Sequence, residues 1–471
     1  LYPENAYVNY IAAKHFYESD NINTALEYAA RSFDIDSENP NTIFLLSMIY
    51  FSMEKYDLAV KLIENSLNIS RSNPEIWYLL GEVYSKLGNI DKSIYCYATA
   101  IRYSSQYELP RIALENTIIE NKPIDDPVRT KYADYHFYKG IEYIDRNYSI
   151  QARNEFRRGL LIDPHSNKGK KLYAGLIKTE GYLNKYLSLL KSIASETPDD
   201  TNLADEVEIY QSIISDTVSE DWNIDQFLID VPKYNIELFL NKSGIPYNTY
   251  NEGFHLGSYL IHILHGYENI ESSFNIIPSD FSNAFRTARE KGSDYFIMFD
   301  FRDTKRSFSA NASIYHSGTG TLLQEIPVFR TGNQKISLSL QTLSGILSES
   351  LPGWSKIIKR KFNRVLLNVG NIQGTTPGDI FLVIREDDFY LKKDSLGLDF
   401  NPELLLGEVE ITKTDDLVSE GILKKYHFFD LIKSGDYLIK KTESMDLSEI
   451  NKNSGNQNLP LDLYKSIISI P

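Results

Sequence analysis

Over the first two hundred residues, apolar positions recur at helical spacing in short segments separated by polar breaks, and the whole pattern repeats. Pro40 and Pro74 lie 34 residues apart, and so do Pro164 and Pro198. In the segment opening at Pro74, the residues Trp77, Leu80, Gly81, Tyr84, Gly88, Tyr97 and Ala100 follow a large, small, aromatic order that predicts two antiparallel helices, with Ser93 at a further small position. One period earlier the same places hold Ile43, Leu46, Ser47, Tyr50, Ala59, Ile63 and Ser66, and before that Ala12, Ala13, Phe16, Ala25, Ala29 and Ser32. Gly140, Tyr143, Tyr148, Ala152, Phe156, Gly159 and Pro164 restart the register, and a degenerate fifth unit (Ala174, Gly181, Tyr186, Leu190, Pro198) suits a terminal cap. A small residue at the eighth place lets one helix approach its partner, and small residues further on admit the next pair. Residues 1–200 therefore predict an all-α solenoid, interrupted at 103–131 by an insertion with an amphipathic stretch at 110–120 and a turn-rich Lys122 to Pro127. Residues 201–232 read as a helical connector.

After 232 the period changes. Strands are predicted at 234–240, 274–278 and 294–302, helices at 254–264 and 279–291, then a hairpin of 310–315 with 322–329 and a closing helix at 336–348. Together 233–353 predict a small α/β domain. From 354 to 441, short alternating runs separated by Gly-rich turns, including Gly374-Thr375-Thr376-Pro377-Gly378-Asp379, predict a small β-barrel of SH3-like size, with an insertion at 387–402. Residues 442–471 are poor in apolar side chains until a short end segment and read as a flexible tail.

The 34-residue template resembles the tetratricopeptide repeat family, whose superhelix offers a concave groove. In this register the groove positions are Tyr7, Tyr10, Lys14, Tyr17, Asn41, Phe44, Met48, Phe51, Glu75, Tyr78 and Glu82. The resemblance implies that an extended or helical segment of a partner docks on them; the bland alternative is that these aromatics pack against neighbouring helices or the insertion. Tyr10 with Lys14 does not reproduce the Lys and Asn pair of family members that clamp a C-terminal carboxylate. The α/β segment, with Asn311 to Leu323 as its hairpin, resembles the TolB N-terminal-like domain. The following strands, with the strand, Gly, Gly, Pro-Gly-Asp order kept from Asn368 to Val383, resemble the C-terminal domain of the flagellar assembly protein T family. A tetratricopeptide array fused to this pair is similar to the spirochaetal periplasmic flagellar collar proteins. That resemblance implies a periplasmic, motor-associated scaffold that supports ring assembly and stator placement, with other flagellar motor or envelope proteins as partners. A general envelope-assembly adaptor is the competing expectation.

Composition narrows the chemistry. Of 471 residues 42% are apolar, ample for several cores, and 64 acidic against 49 basic side chains give a net charge of −15, which disfavours nucleic acid. No stretch is apolar enough to insert in a membrane, although a start at Leu1 leaves room for an upstream signal or anchor. One cysteine, Cys96, can build neither a disulfide nor a multi-cysteine metal centre, and it reads as a packing residue. His255, His262 and His265 share a predicted helix without a carboxylate at ligand spacing, so structural roles are expected and no metal or cofactor is assigned. Gly318-Thr319-Gly320 lacks the Gly-Lys-Ser/Thr continuation of a phosphate loop and reads as a turn. Asp300 with His316 is the one place to imagine a hydrolase site; the expectation is no catalysis. Lys356, Lys359, Arg360, Lys361 and Arg364 form the one basic run, expected as a solvated linker face or, more sharply, a docking patch for an acidic partner.

Overall fold

A computed structural model describes residues 4–242 and 250–441. The expected tail and the first three residues lie outside the described residues. The chain divides into two compact units, each assembled from two separate stretches: 1–169 with 234–349, and 170–233 with 350–471.

In the first unit the helix pairs are α1 (Ala6–Glu18) with α2 (Ile22–Ile35), α3 (Pro40–Ser52) with α4 (Tyr56–Ile69), and α5 (Pro74–Lys86) with α6 (Ile90–Tyr103). Their starts keep the 34-residue period, and the local reason is a repeated cap. Asn5, Asn39 and Asn73 each accept backbone N–H groups of the following first turn, and Pro40 and Pro74 occupy the first helical position, where no donor is missed. Within a pair the small eighth residue sets the approach. A Cβ on Gly81 would stand 2.5 Å from the Tyr97 ring, and one on Gly140 would stand 2.2 Å from Phe156.

The insertion is itself helical. α7 (Glu108–Asn121) is followed by α8 (Pro127–Asp145) and α9 (Ser149–Ile162). Rather than showing one wet face, α7 is buried along Leu109 to Ile118, including Glu115, Asn116 and Thr117. A helix buried on most sides is a core element, here packed against α6 and the α/β domain. Buried Arg129 of α8 ties the ends of two helices: it donates to the carbonyls of Ile119 (3.0 Å) in the last turn of α7 and Lys122 (2.8 Å) just after it, and of Ile162 (2.7 Å), the last residue of α9. A cation at helix C-termini satisfies carbonyls that have no partner in their own helix.

The α/β domain runs β1 (Tyr234–Asn241), α14 (Tyr250–Leu264), β2 (Ile270–Ser279), α15 (Phe281–Lys291), β3 (Tyr295–Asp303), β4 (Ser307–His316), β5 (Leu322–Thr331) and α16 (Lys335–Ser350); helices α10 to α13 fall between α9 and β1. The sheet order is β2-β1-β3-β4-β5, with the first three strands parallel and the last two antiparallel. β1 and β3 are buried on both faces, as central parallel strands must be. Every expected element is present with its ends moved by a few residues, and Asp280 is the N-cap of α15, accepting from Asn283 N at 2.9 Å.

In the second unit α10 (Asn167–Thr179), α11 (Leu183–Glu196) and α12 (Thr201–Ile213) precede a short α13 (Val218–Trp222). α12 starts 34 residues after α10, so the first part of the stretch expected as a connector continues the repeat, and Tyr210 packs edge-on against Tyr186 at 4.9 Å. The barrel closes in the order β11-β12-β7-β6-β13-β8 from β6 (Trp354–Lys361), β7 (Arg364–Leu367), β8 (Ile380–Ile384), β11 (Gly407–Thr414), β12 (Ser419–Lys425) and β13 (Tyr437–Lys440). Its interior holds Ile357, Val365, Leu367, Phe381, Val383, Val409, Leu423 and Leu438. Gly378 adopts φ +92°, a left-handed turn that a side chain would strain, and its N–H donates to Ile411 at 2.8 Å. The 387–402 insertion forms a two-stranded hairpin, β9 (Phe389–Leu391) and β10 (Leu398–Phe400), whose Phe389, Leu398 and Phe400 pack on Leu382, Ile384 and Ile439. On another side Leu366 and Val418 bury Trp222 and Val218 of α13.

The Gly81 contact sets a stability test. Gly81→Ala should destabilise the protein by about 1–3 kcal/mol, because Tyr97 is fully buried and tied by its hydroxyl to Glu82 and cannot swing away. Gly175→Ala, whose added methyl meets nothing within 4 Å in the middle of α10, should stabilise by about 0.5–1 kcal/mol. Thermal melts followed by circular dichroism compare the two; equal effects would show that close helix approach is not what the glycine supplies.

Candidate functional site

The expected groove positions do not all face solvent. Tyr17, Phe44, Met48, Phe51, Glu75, Tyr78 and Glu82 line a cavity of about 680 Å³ whose opposite wall is the chain's own α/β domain: Asn251 and Glu252 of α14, Asp303 to Lys305 after β3, and Lys335 at the start of α16. The open groove expected over α3 and α5 is therefore one wall of a cavity partly covered by the α/β domain. Tyr17 is buried, its hydroxyl 2.8 Å from Ser52 Oγ and donating to Met48 O at 3.3 Å. Phe44, Met48 and Phe51 are half-buried against α4 and α5. The remaining four lie apart from the cavity: Tyr7, Lys14 and Asn41 are exposed and Tyr10 half-buried, with the Tyr7 and Tyr10 rings 6.3 Å apart and Lys14 3.8 Å from Glu18.

Glu82 shows how the closure is made. It is buried, its Oε1 accepts from the Tyr97 hydroxyl at 2.7 Å, and His255 Nε2 of α14 stands 2.9 Å from the same oxygen. Burial works against this carboxylate, but His255 and Tyr97 hold it below the usual range. From α7, Glu108 accepts the free N–H groups of Ile336 (2.8 Å) and Ser337 (2.9 Å) at the start of α16, and Asn116 Nδ2 donates to His255 O at 3.1 Å.

Behind this wall lies a buried charge network. His136 donates from both ring nitrogens, to Glu155 at 2.7 Å and Glu115 at 2.8 Å. Arg158 bonds Glu115 (2.9 Å) and Asn116 (3.0 Å), lies 4.9 Å over the Tyr259 ring, and donates to His262 Nδ1 at 2.8 Å. Burial opposes the imidazolium, yet the two carboxylates raise His136 to about 9. Burial likewise opposes Glu115, but His136 and Arg158 bring it down to about 2. Burial, with Arg158 and His265 beside it, lowers His262 to about 3 and keeps it neutral, as an acceptor from Arg158 must be. His265 Nε2 lies 2.8 Å from Ser272 O. All three α14 histidines thus have structural partners.

The other candidates separate. Asp300 pairs across the sheet with Asn311 and His316 with Tyr295, so the two stand five residues apart along β4, roughly 17 Å. Burial raises Asp300 to about 6 without bringing it a base. The N–H groups of Gly318 and Thr319 point at His316 Nδ1, at 3.0 and 3.2 Å, so the turn holds its own side chain rather than a phosphate. Cys96 is buried and its thiol is pushed up to about 12 by that burial. The basic run is a correction: its residues sit on β6 and β7 rather than on a linker, and each has a partner within the second unit. Lys356 lies 4.6 Å over Tyr437 and 3.9 Å from Glu386, Lys359 donates to Trp222 O at 3.5 Å, and Lys361 lies 4.5 Å over the Trp222 ring. Arg360 pairs with Asp430 and Arg364 with Glu420, each at 2.5 Å. Among the described residues no group of three or more His, Cys, Asp or Glu could hold a metal ion.

Two family models match. One, described as anaphase-promoting complex, cyclosome, subunit 3, covers residues 18–100, the very stretch in which helix starts, caps and small residues recur at 34. The N-terminal stretch is a tetratricopeptide repeat solenoid. The second model, described as the second domain of a family, covers residues 233–349. Solved structures similar to this chain include the first repeat domain of Spaghetti (RPAP3) bound to an HSP90 peptide, at 15% identity over 24% of this chain and 90% of that one, with a TM-score of 0.24. YrrB, described as a TPR protein with an unusual peptide-binding site, matches at 16% identity over 44% and 93%, TM-score 0.25. TTC0263, a thermophilic TPR protein of Thermus thermophilus, matches at 12% over 44% and 98%, TM-score 0.24. No curated protein matches the chain.

The network fixes a pH dependence. His136, raised to about 9, contributes stability that is complete below the 6.5 of an ordinary histidine and is lost as pH rises through 9; its size is on the order of 3 kcal/mol. Glu115, lowered to about 2, contributes above 4.5 and loses its contribution as pH falls towards 2, and His262 loses its own below 6.5. Denaturant unfolding should therefore show a midpoint falling between pH 6.5 and about 9, and His136→Gln should lower stability at 6.5 while flattening that alkaline limb. Parallel limbs in both proteins would refute the assignment.

Proposed function

We propose that the chain is a non-catalytic protein–protein interaction scaffold. The observation that carries this is an exposed aromatic cluster on the barrel. Phe362 is 92% exposed in the β6–β7 turn, and Phe428 and Phe429 after β12 are 68% and 62% exposed. Arg360 joins the two loops, donating to Phe362 O at 2.8 Å and to Asp430 and Ile432 O at 2.5 Å, so loops that carry large exposed apolar side chains are tied to one another. Aromatic groups fixed at a surface favour protein docking over solvation. The exposed groove residues Tyr7, Lys14 and Asn41, with half-buried Tyr10, supply a second surface for an extended or helical partner segment.

The finer reading is a part of the periplasmic flagellar motor collar, supporting ring assembly and stator placement. Its support is the order of repeat array, α/β domain and barrel, and the resemblance of that order to collar proteins. A general envelope-assembly adaptor, working in secretion or cell-wall machinery, is the second reading on the same surfaces. Deleting the gene in its own organism should abolish motility and leave growth and envelope integrity normal; intact swimming with a leaky envelope would favour the adaptor. Phe362→Ser with Phe428→Ser should cut capture of the motor partner at least tenfold with an unchanged melting temperature, and undiminished capture would remove the aromatic cluster from the proposal.

A further inference from the structure

The cavity between the repeats and the α/β domain has two unlike walls. One is apolar, formed by Phe44, Met48 and Phe51 of α3. The other gathers the carboxylates of Glu75, Glu82, Glu252 and Asp303, and the partners present do not satisfy them equally. His255 stands on Glu82, Lys335 is bonded to Asp303 and to the carbonyl of Thr304, and Lys305, 87% exposed, reaches Glu75 only at 3.5 Å. Glu252 has no ion pair or hydrogen bond among the described residues. Burial first, then Asp303, Glu82 and Glu75, push it up to about 8, while Lys335 pulls weakly the other way. A second, independent feature lies beside it. Tyr78, only 7% exposed, lines the cavity with its hydroxyl buried and without a hydrogen-bond partner, and Tyr107 packs edge-on against its ring at 5.9 Å.

An unpaired carboxylate, an unpartnered hydroxyl and aromatic rings facing an apolar wall are complementary to one chemistry. A positive head is drawn to the acid and to the ring faces, and an alkyl body is desolvated against Phe44, Met48 and Phe51. The volume suits a small molecule or one long side chain. We propose that this cavity is a binding site for an alkylammonium group, whose ammonium pairs with Glu252 and whose methylene chain lies on the α3 wall. The group reaches it either as a free polyamine or as a lysine side chain of an extended peptide. Because burial and the neighbouring carboxylates hold the Glu252 proton near neutrality, binding drives that proton out to solvent, and the affinity rises as pH approaches and passes 8.

Isothermal titration of the full chain with spermidine, with a lysine-containing peptide and with the same peptide acetylated on the lysine tests this. Saturable binding of spermidine, of the unmodified peptide or of both, tightening at least fivefold from about pH 6.5 to about 8.5, is expected, and which of the two binds assigns the source. Heats that scale with the ionisation enthalpy of the buffer would report the released proton. Glu252→Gln should weaken binding at least tenfold while melting at or above the parent temperature, since it removes a strained acid and keeps its shape; Tyr78→Phe should weaken it by a smaller factor. Equal binding of the acetylated peptide, an unaltered affinity in a folded Glu252→Gln, or no saturable heat with any probe would overturn the proposal.

Discussion

A helix leaves its first N–H groups without partners, and in this protein carboxylates from distant parts of the chain supply acceptors for them. Glu108 of α7 takes the start of α16, more than two hundred residues away. In the other unit the turn between β11 and β12 does the same twice: Asp415 accepts from Val218 N (3.0 Å) and Ser219 N (2.8 Å) at the start of α13, and Asp416 from Lys185 N (2.7 Å) in the first turn of α11. Each unit is built from two stretches that the sequence keeps far apart. Apolar contact would hold such stretches together but would permit many rotations. A bidentate carboxylate on a helix end permits far fewer, because both oxygens must meet N–H groups whose directions the helix already fixes.

Buried charge extends the same constraint into the core of the first unit. Desolvating Glu115, His136, Glu155 and Arg158 is costly, and their mutual pairing returns that cost only in one arrangement. The arrangement draws on α7, α8 and α9 together, and Arg158 carries it on to His262 and Tyr259 of α14. Packing of α14 on α7 is thus specified by polar geometry as well as by area. Arg129 has a different task. Among the described residues its hydrogen bonds go only to carbonyls, so it closes the ends of α7 and α9 without adding to the network.

Much of the fold is legible in the chain because its signals are local. Asn-Pro at the head of α3 and α5, glycine opposite an aromatic within a pair, and strand alternation with Pro-Gly-Asp turns each report a short-range requirement. What the sequence hides is long-range. Groove positions follow from spacing, yet nothing in the spacing says that His255, 173 residues further on, stands against Glu82. Periodicity tells which face is covered and not by what. β6 is hidden for another reason. Its inward Ser355 and Ile357 alternate with Lys356, but a register shift between Ile357 and Lys359 breaks the alternation and leaves a run that looks like a charged linker. Arg360 stands out in that run for its charge; its guanidinium instead frames the exposed aromatics.

The closure of the concave face also changes what a repeat array can be expected to recognise. An open groove binds a segment by wrapping it, and its specificity spreads over many side chains. Here α14 has taken the place over α5, with a histidine meeting Glu82 of α5 and a backbone carbonyl accepting from Asn116 of α7. What remains on that face divides into two chemistries: an accessible aromatic and lysine strip on α1, and a partly covered acidic pocket. The strip can accept a macromolecular surface because nothing from the described chain covers it. The pocket can accept only a narrow group, and any group it accepts touches the repeats and the α/β domain at once, so its binding energy bears on the contact that holds those two parts of the first unit together.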